Sequence, residues 1–230
     1  MTIAAVAAST QRVRLGVMVC ILARRRPQKV ARETASLDLL SSGRLVFGAG
    51  LGSRWKEEFA AFGEDPDPRV RAARLDEGLD IVSGLWSGEP FSYSGSHYEV
   101  AETTFLPTPL QRPRIPVWIA GRWPAPRPFR RAARWDGVFA IHREVSQAQT
   151  MTPEQLGEIV SYTLAHKASD SPFDFVIEGQ TVGDGGAADR ERVEGLRAAG
   201  LTWWIENLGW FRGPLESMRE RIDAGPPRGG

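Results

Sequence analysis

The chain has 230 residues, with 29 Lys and Arg against 28 Asp and Glu, a formal net charge of +1. That balance creates no global field to recruit nucleic acid or a membrane surface, and a hydrophobic content of 42% is ordinary for a globular chain able to bury a sizeable core. The one cysteine, Cys20, excludes an intramolecular disulfide and fits a reducing compartment.

The opening "MTIAAVAAST" is apolar, but it has no basic n-region and no apolar span of about 20 residues, so neither a secretion signal nor a membrane segment is read. Cytoplasm is the default expectation. The small residues of this segment predict a helix within a domain. "RLGVMVCIL" is a continuous apolar run and predicts a strand buried on both faces. Arg24, Arg25 and Arg26, the densest basic cluster, predict a solvated loop. A helix follows in "PQKVARETASLDLLSSG", with Val30, Thr34, Leu37 and Leu40 on one face, Pro27 near its start and Gly43 beyond its end. "RLVFGAGLG" predicts a second strand and a turn. Leu75, Leu79, Val82 and Trp86 mark one face of the next helix.

The rhythm breaks over residues 87–116, which are rich in Gly, Pro, Ser and Thr and predict an excursion with one short hairpin. Alternation then resumes: strand "VWIAG", helix "RPFRRAARW", strand "GVFAI", and a helix in "TPEQLGEIVSYTLAHKA" opened by a Thr152–Gln155 capping box. Strand "FDFVIEG", helix "DRERVEGLRAAG", strand "TWWIEN" and helix "PLESMRERI" complete the pattern, and residues 224–230 form a frayed tail. Six strand–helix units after an initial helix predict a parallel α/β domain over residues 1–230. Periodicity does not choose between a barrel and a doubly wound sheet.

The glycines of "RLVFGAGLGS" are spaced G-x-G-x-G. A dinucleotide fingerprint needs G-x-G-x-x-G with an acidic residue after the next strand, and a P-loop needs a Gly-Lys-Ser/Thr ending; neither is present. A tight turn and a ligand-facing loop both remain open at this point, with the ligand unnamed. His142 directly follows a strand, and Glu178 and Glu206 end the last two, where either carboxylate could shape a substrate or handle a proton. Trp203 and Trp204 must face opposite sides of their strand. His166, late in a helix, suits a partner for the helix C-terminal dipole. A metal-dependent hydrolase built on His142, Glu178 and Glu206 would lack paired histidines, so no metal is expected.

The strings "RVRLGVMV", "RRRPQKVARETASLDLLSSGRLVFGAGLG", "EEFAAFG", "PVWIAG" and "RRAARWDGVFAI" resemble the luciferase-like flavin or deazaflavin monooxygenase family, from about Ala4 to Ile222. The resemblance implies a TIM-type (β/α)8 barrel, here a partial barrel of strands three to eight that lacks two N-terminal units and leaves two bare edges. A homo-oligomer or another partner chain could cover them. It implies a non-proline cis peptide near Met18–Val19 to buttress the flavin ring, with Cys20 as a small pocket-wall residue. It places cofactor contacts at Gly50, Leu51, Gly52 and Ser53. At Ala120, Gly121 and Arg122 a helix N-terminus would receive the phosphate, with Arg127 a competing partner, and His142 would contact ring, phosphate or substrate. Glu178, Glu206 and Trp210 are the substrate candidates; the excursion is expected to help decide the substrate, with His97 and Tyr98 in a structural role, in a G-x-x-Y element like the family's. The implied activity is oxygenation of a small organic substrate by reduced FMN and O2, with a separate flavin reductase supplying the FMN. Hydride transfer with F420 is the close variant, and a non-catalytic scaffold or subunit is the third reading.

Overall fold

A computed structural model describes residues 2–146, 149–184 and 186–226. The chain divides into two units, residues 1–118 and 119–230.

The first unit opens with helix α1 (Thr2–Ser9). The Arg44 guanidinium gathers the carbonyls of Ala7, Thr10 and Val13 at 2.7–3.0 Å, which ties the end of that helix to the start of the central strand. The predicted continuous strand is instead two short pieces, β1 (Leu15–Gly16) and β2 (Cys20–Ile21). Both pair in parallel with β3 (Leu45–Gly50), in the registers Leu15↔Leu45 and Cys20↔Ala49. The Met18–Val19 peptide between them is cis. Burial on both faces is also corrected: Val17 is 40% exposed, because β1 and β2 lie on the open side of β3. All six residues of β3 are buried.

After a 3-10 turn (Leu22–Arg24), α2 (Pro27–Leu40) starts with Pro27 at a position whose N–H has no helical partner to lose. Its buried face agrees with the predicted one at Val30 and departs from it at the C-terminal end. Ala31, Ala35 and Asp38 point inward, whereas Leu40 is 51% exposed. Small alanines let α4 (Pro68–Trp86) approach closely, with Trp86 Nε1 donating to Ala31 O and Thr34 Oγ1 at 3.2 and 3.1 Å. Asp38 is tolerated inside because Leu110 N, Gln111 N and Gln111 Nε2 all donate to it, which anchors the returning end of the excursion. The short α3 (Trp55–Glu58) precedes α4, whose predicted core face of Leu75, Leu79, Val82 and Trp86 is fully buried. The expected hairpin is present as antiparallel β4 (Phe91–Ser94) and β5 (Glu99–Thr103).

β6 (Val117–Trp123) runs through the boundary. The second unit then continues with α5 (Pro126–Ala132), β7 (Gly137–His142), α6 (Pro153–Leu164), β8 (Asp174–Gly179), α7 (Ala187–Ala198), β9 (Trp203–Glu206) and α8 (Leu215–Asp223). Its strands follow the order β6-β7-β8-β9, and β7, β8 and β9 pair in parallel, with Gly137↔Asp174 and Gly179↔Glu206. The Thr152–Gln155 capping box forms as predicted, and the left-handed Gly200 (φ 107°) follows the end of α7. Among the described residues β9 pairs only with β8, so its outer edge is bare. Residues 227–230 of the predicted tail lie outside the described residues. No helix among the described residues is long and apolar enough to cross a membrane.

Candidate functional site

In the first unit the candidate residues meet at the C-terminal ends of β2 and β3. Register places Cys20 beside Ala49 and Ile21 beside Gly50, so the cis Met18–Val19 peptide lies level with Gly48 and Ile21 lies against the Gly50–Ser53 turn. The glycines serve separate purposes. A Cβ on Gly48 would lie 2.3 Å from both Met18 Cε and the Val17 carbonyl oxygen, so Gly48 makes room for the chain bearing the cis bond. Gly52 has φ +73°, a left-handed conformation that side chains disfavour, and a Cβ there would also press on Ile21 Cδ1 at 2.9 Å. Ser53 is exposed, and its hydroxyl makes no hydrogen bond among the described residues. Cys20 is half-buried. Burial pushes its thiol up, Arg25 and Arg24 pull it down and Glu33 opposes them, so the thiol stays protonated and suits a pocket wall rather than a nucleophile.

A residue that sequence reasoning missed supports this turn from beneath. Arg71, 6% exposed, donates from Nη1 to the carbonyls of Leu51 and Gly52 at 3.1 and 3.3 Å. Its guanidinium lies 4.9 Å from the centroid of the buried Phe59 ring, and its Nε is buried without a partner. No carboxylate pairs with Arg71 among the described residues. A buried cation without a counter-ion is costly, and the two carbonyls and the Phe59 ring offset part of that cost. The signal available in "RVRAAR" was spacing: Arg71 stands four residues before Leu75 and so on the helix's apolar face, whereas the exposed Arg69 does not.

The second unit gathers three of its candidates. Arg122, His142 and Glu178, with Ile141, Gln149 and Met151, line a cavity of about 480 Å³. His142 is 7% exposed, and its Nδ1 accepts from Glu144 N at 3.3 Å, which leaves the proton of the neutral ring on Nε2. Burial raises the Glu178 carboxyl above the usual range, and Arg122 opposes this without cancelling it. Its proton affinity is thereby greater than that of an ordinary carboxylate.

Gly121 and Arg122 sit differently from the implied arrangement. The strand continues through Trp123, and α5 begins only at Pro126, after the cis Trp123–Pro124 bond. Pro126 and Pro128 occupy two of the first three helical positions and bring no N–H, so this short helix end is poor in donors for a phosphate. Gly121 instead makes space for α5, since a Cβ there would lie 3.0–3.2 Å from Pro128 and Phe129. Ala120 is half-buried in the same strand, and Arg127 is exposed on α5.

Glu206 does not line that cavity. Burial alone would raise its carboxyl, but hydrogen bonds from Thr181 N, Trp204 Nε1, Thr181 Oγ1 and Arg212 hold it below the ordinary value. Arg221, 7% exposed, adds an ion pair at 3.2 Å. Its oxygens are therefore occupied by the chain itself. Trp204 packs over Gly179 on this side, and Trp203 Nε1 reaches Asp174 at 3.1 Å, as opposite faces of a strand require. The Trp210 side chain lies outside what the structure describes. His166 closes α6 as expected, with Nδ1 2.8 Å from Tyr162 O. Among the described residues no three His, Cys, Asp or Glu side chains cluster as metal ligands would.

Residues 1–198 match the luciferase-like monooxygenase family. The chain belongs to that family. Curated relatives include the oxygenase component of a flavin-dependent trigonelline monooxygenase from Acinetobacter baylyi, 33% identical over 56% of this chain and 35% of the relative. An F420-dependent hydroxymycolic acid dehydrogenase from Mycobacterium tuberculosis is 34% identical over 66% of this chain and 41% of the relative. The chain thus spans less than half the length of these luciferase-like relatives. Among solved structures, the monooxygenase RslO1 from Streptomyces bottropensis is 27% identical with a TM-score of 0.64, over 96% of this chain and 69% of that one. The F420-dependent tetrahydromethanopterin reductase from Methanopyrus kandleri superposes with a TM-score of 0.72 over 97% of this chain and 84% of its own, at 15% identity, which shows the shared fold. The six parallel strand–helix units are therefore those of the family's TIM-barrel-like fold. The Met18–Val19 cis peptide is present where the family resemblance implied it.

Proposed function

We propose that this chain is the cofactor-holding part of an oxygenase that uses reduced FMN and O2 on a small organic substrate, with a separate reductase supplying the reduced flavin. The observation that carries the reading is the buried Arg71 beneath the Gly50–Ser53 turn, which has no carboxylate partner among the described residues, in a chain of this family. Met18, Val19 and Cys20 would wall the flavin ring. The Leu51 and Gly52 carbonyls are turned toward Arg71, and the open Ser53 hydroxyl would donate to the cofactor's ribityl or phosphate oxygens. Bound reduced FMN supplies the electrons that activate O2, and the protein's part is to hold, orient and shield. In the second unit, the raised Glu178 carboxyl would handle a proton, Arg122 would supply positive charge, and the buried His142, whose Nδ1 accepts from Glu144 N, would donate from Nε2.

A second reading, F420-dependent hydride transfer, is favoured by the 34% identity to the F420-dependent dehydrogenase. Titration of the purified chain with FMN and with F420, following cofactor absorbance and fluorescence, separates the two. Saturation by FMN with oxygen-dependent turnover supports the first, and saturation by F420 alone supports the second. Failure of both cofactors to bind overturns both readings in favour of a non-catalytic scaffold or subunit.

A further inference from the structure

A basic cavity in the first unit lies outside the residues used so far. It measures about 290 Å³ and is lined by Arg24, Arg25, Arg26, Arg74, His97 and Tyr98, with Glu64 as its one carboxylate. Three elements build it: the 3-10 turn after β2, helix α4 and the β4–β5 hairpin. The hairpin tip is fixed. Both Glu77 oxygens on α4 accept from it, Oε1 from Ser96 N at 3.1 Å and Oε2 from His97 N and Tyr98 N at 2.9 and 3.1 Å. Gly95 allows this approach, since a Cβ there would lie 2.4 Å from Glu77 Oε2. His97 and Tyr98 are thereby held facing the arginines.

The charges do not balance. Arg24 pairs with Glu58 at 3.2 Å, and Arg74 pairs with Glu64 at 3.4 Å. Arg25 and Arg26 form no ion pair among the described residues. Four guanidiniums therefore share a cavity with one carboxylate. Burial pushes the half-buried Tyr98 hydroxyl up, with Glu77 and Glu64 adding to it and Arg74 and Arg26 opposing it. Guanidinium forks match oxyanions by paired, charge-assisted hydrogen bonds, and a cavity at the small end of ligand pockets suits a small guest.

We infer that this cavity is a binding site for a small organic dianion, a phosphomonoester or a dicarboxylate, held by Arg25 and Arg26 with His97 and Tyr98 as further polar contacts. The site does not depend on the oxidoreductase reading, because none of the residues assigned to the cofactor lines it.

The chain has three histidines, so the His97 imidazole protons can be followed by NMR and assigned with His97→Gln. Inorganic phosphate and malonate are the probes, each titrated at fixed pH and ionic strength against chloride. The expected result is a saturable His97 shift with at least one probe. The apparent Kd should weaken at least tenfold in Arg25→Ala/Arg26→Ala. It should stay within twofold in Arg197→Ala/Arg219→Ala, which loses the same charge at exposed positions of the second unit. Circular dichroism confirms that both variants fold. A His97 signal that neither probe moves, or equal saturation in Arg25→Ala/Arg26→Ala, overturns the proposal. Neither outcome touches FMN or F420 binding, so the two proposals fail separately.

Discussion

Glu178 and Glu206 end adjacent parallel strands, yet their environments drive their proton affinities apart. Burial raises Glu178, so its folded form favours the proton, and the cost of ionising it appears as pH rises above the ordinary Glu value of about 4.3. Glu178→Gln should therefore gain thermal stability relative to wild type as pH rises from 4 to 7, measured by paired melts. Glu206 is lowered, so its contribution is complete above the ordinary carboxylate range and is lost as pH falls through the lowered value. Glu206→Gln should destabilise the fold by about 2–3 kcal/mol at pH 7 in urea titration, because it leaves Arg212 and Arg221 without a counter-charge. The sequence places both carboxylates at strand ends, but not their difference. That depends on Thr181, Arg212 and Arg221, which lie 6 to 25 residues away in the chain. Arg71 was equally hidden, since its role comes from the depth at which α4 packs. Arg71→Lys, which keeps the charge but loses the planar fork, should weaken FMN binding about tenfold, a cost of roughly 1.4 kcal/mol. Unchanged affinity would remove Arg71 from the cofactor proposal.

At the scale of elements, local signals were the most legible. The α4 core face, the α6 capping box, the hairpin and the strand ends all follow from side-chain period and turn chemistry within a few residues. Thr152→Ala should accordingly cost about 1 kcal/mol, read as a lower urea midpoint at unchanged slope. The departures arose where a neighbour overrode the local pattern. The face of α2 turned toward Ala31 and Ala35 because α4 and its Trp86 need a close approach, and Asp38 is held inside by backbone donors 72 and 73 residues later. The apolar run before Leu22 is two pieces, each paired with β3, with the cis Met18–Val19 peptide between them. Gly48→Ala should destabilise by about 3 kcal/mol. Adding Met18→Ala should not rescue it, since the Val17 carbonyl is backbone and cannot move aside as a side chain can. Recovery in the double variant would show that Met18 alone set the constraint.

For the whole molecule, cofactor binding should appear as ligand-linked stability. FMN at a hundredfold excess over its Kd should add about 2.7 kcal/mol, a rise in Tm of about 5–10 °C for a chain of this length. F420 should give the larger shift if hydride transfer is the activity. The sequence by itself determined the six parallel strand–helix units, because periodicity is written locally, and its resemblance to the family implied the cis peptide near Met18–Val19. Only the tertiary structure decided which charges stand alone. It buried Arg71 with no acid beside it among the described residues, enclosed Glu206 with Arg212 and Arg221, and brought Arg25, Arg26 and His97 to one cavity. Whether a charge has a partner depends on residues distant in the chain that folding brings within a few ångströms, and no periodicity in the sequence encodes that distance.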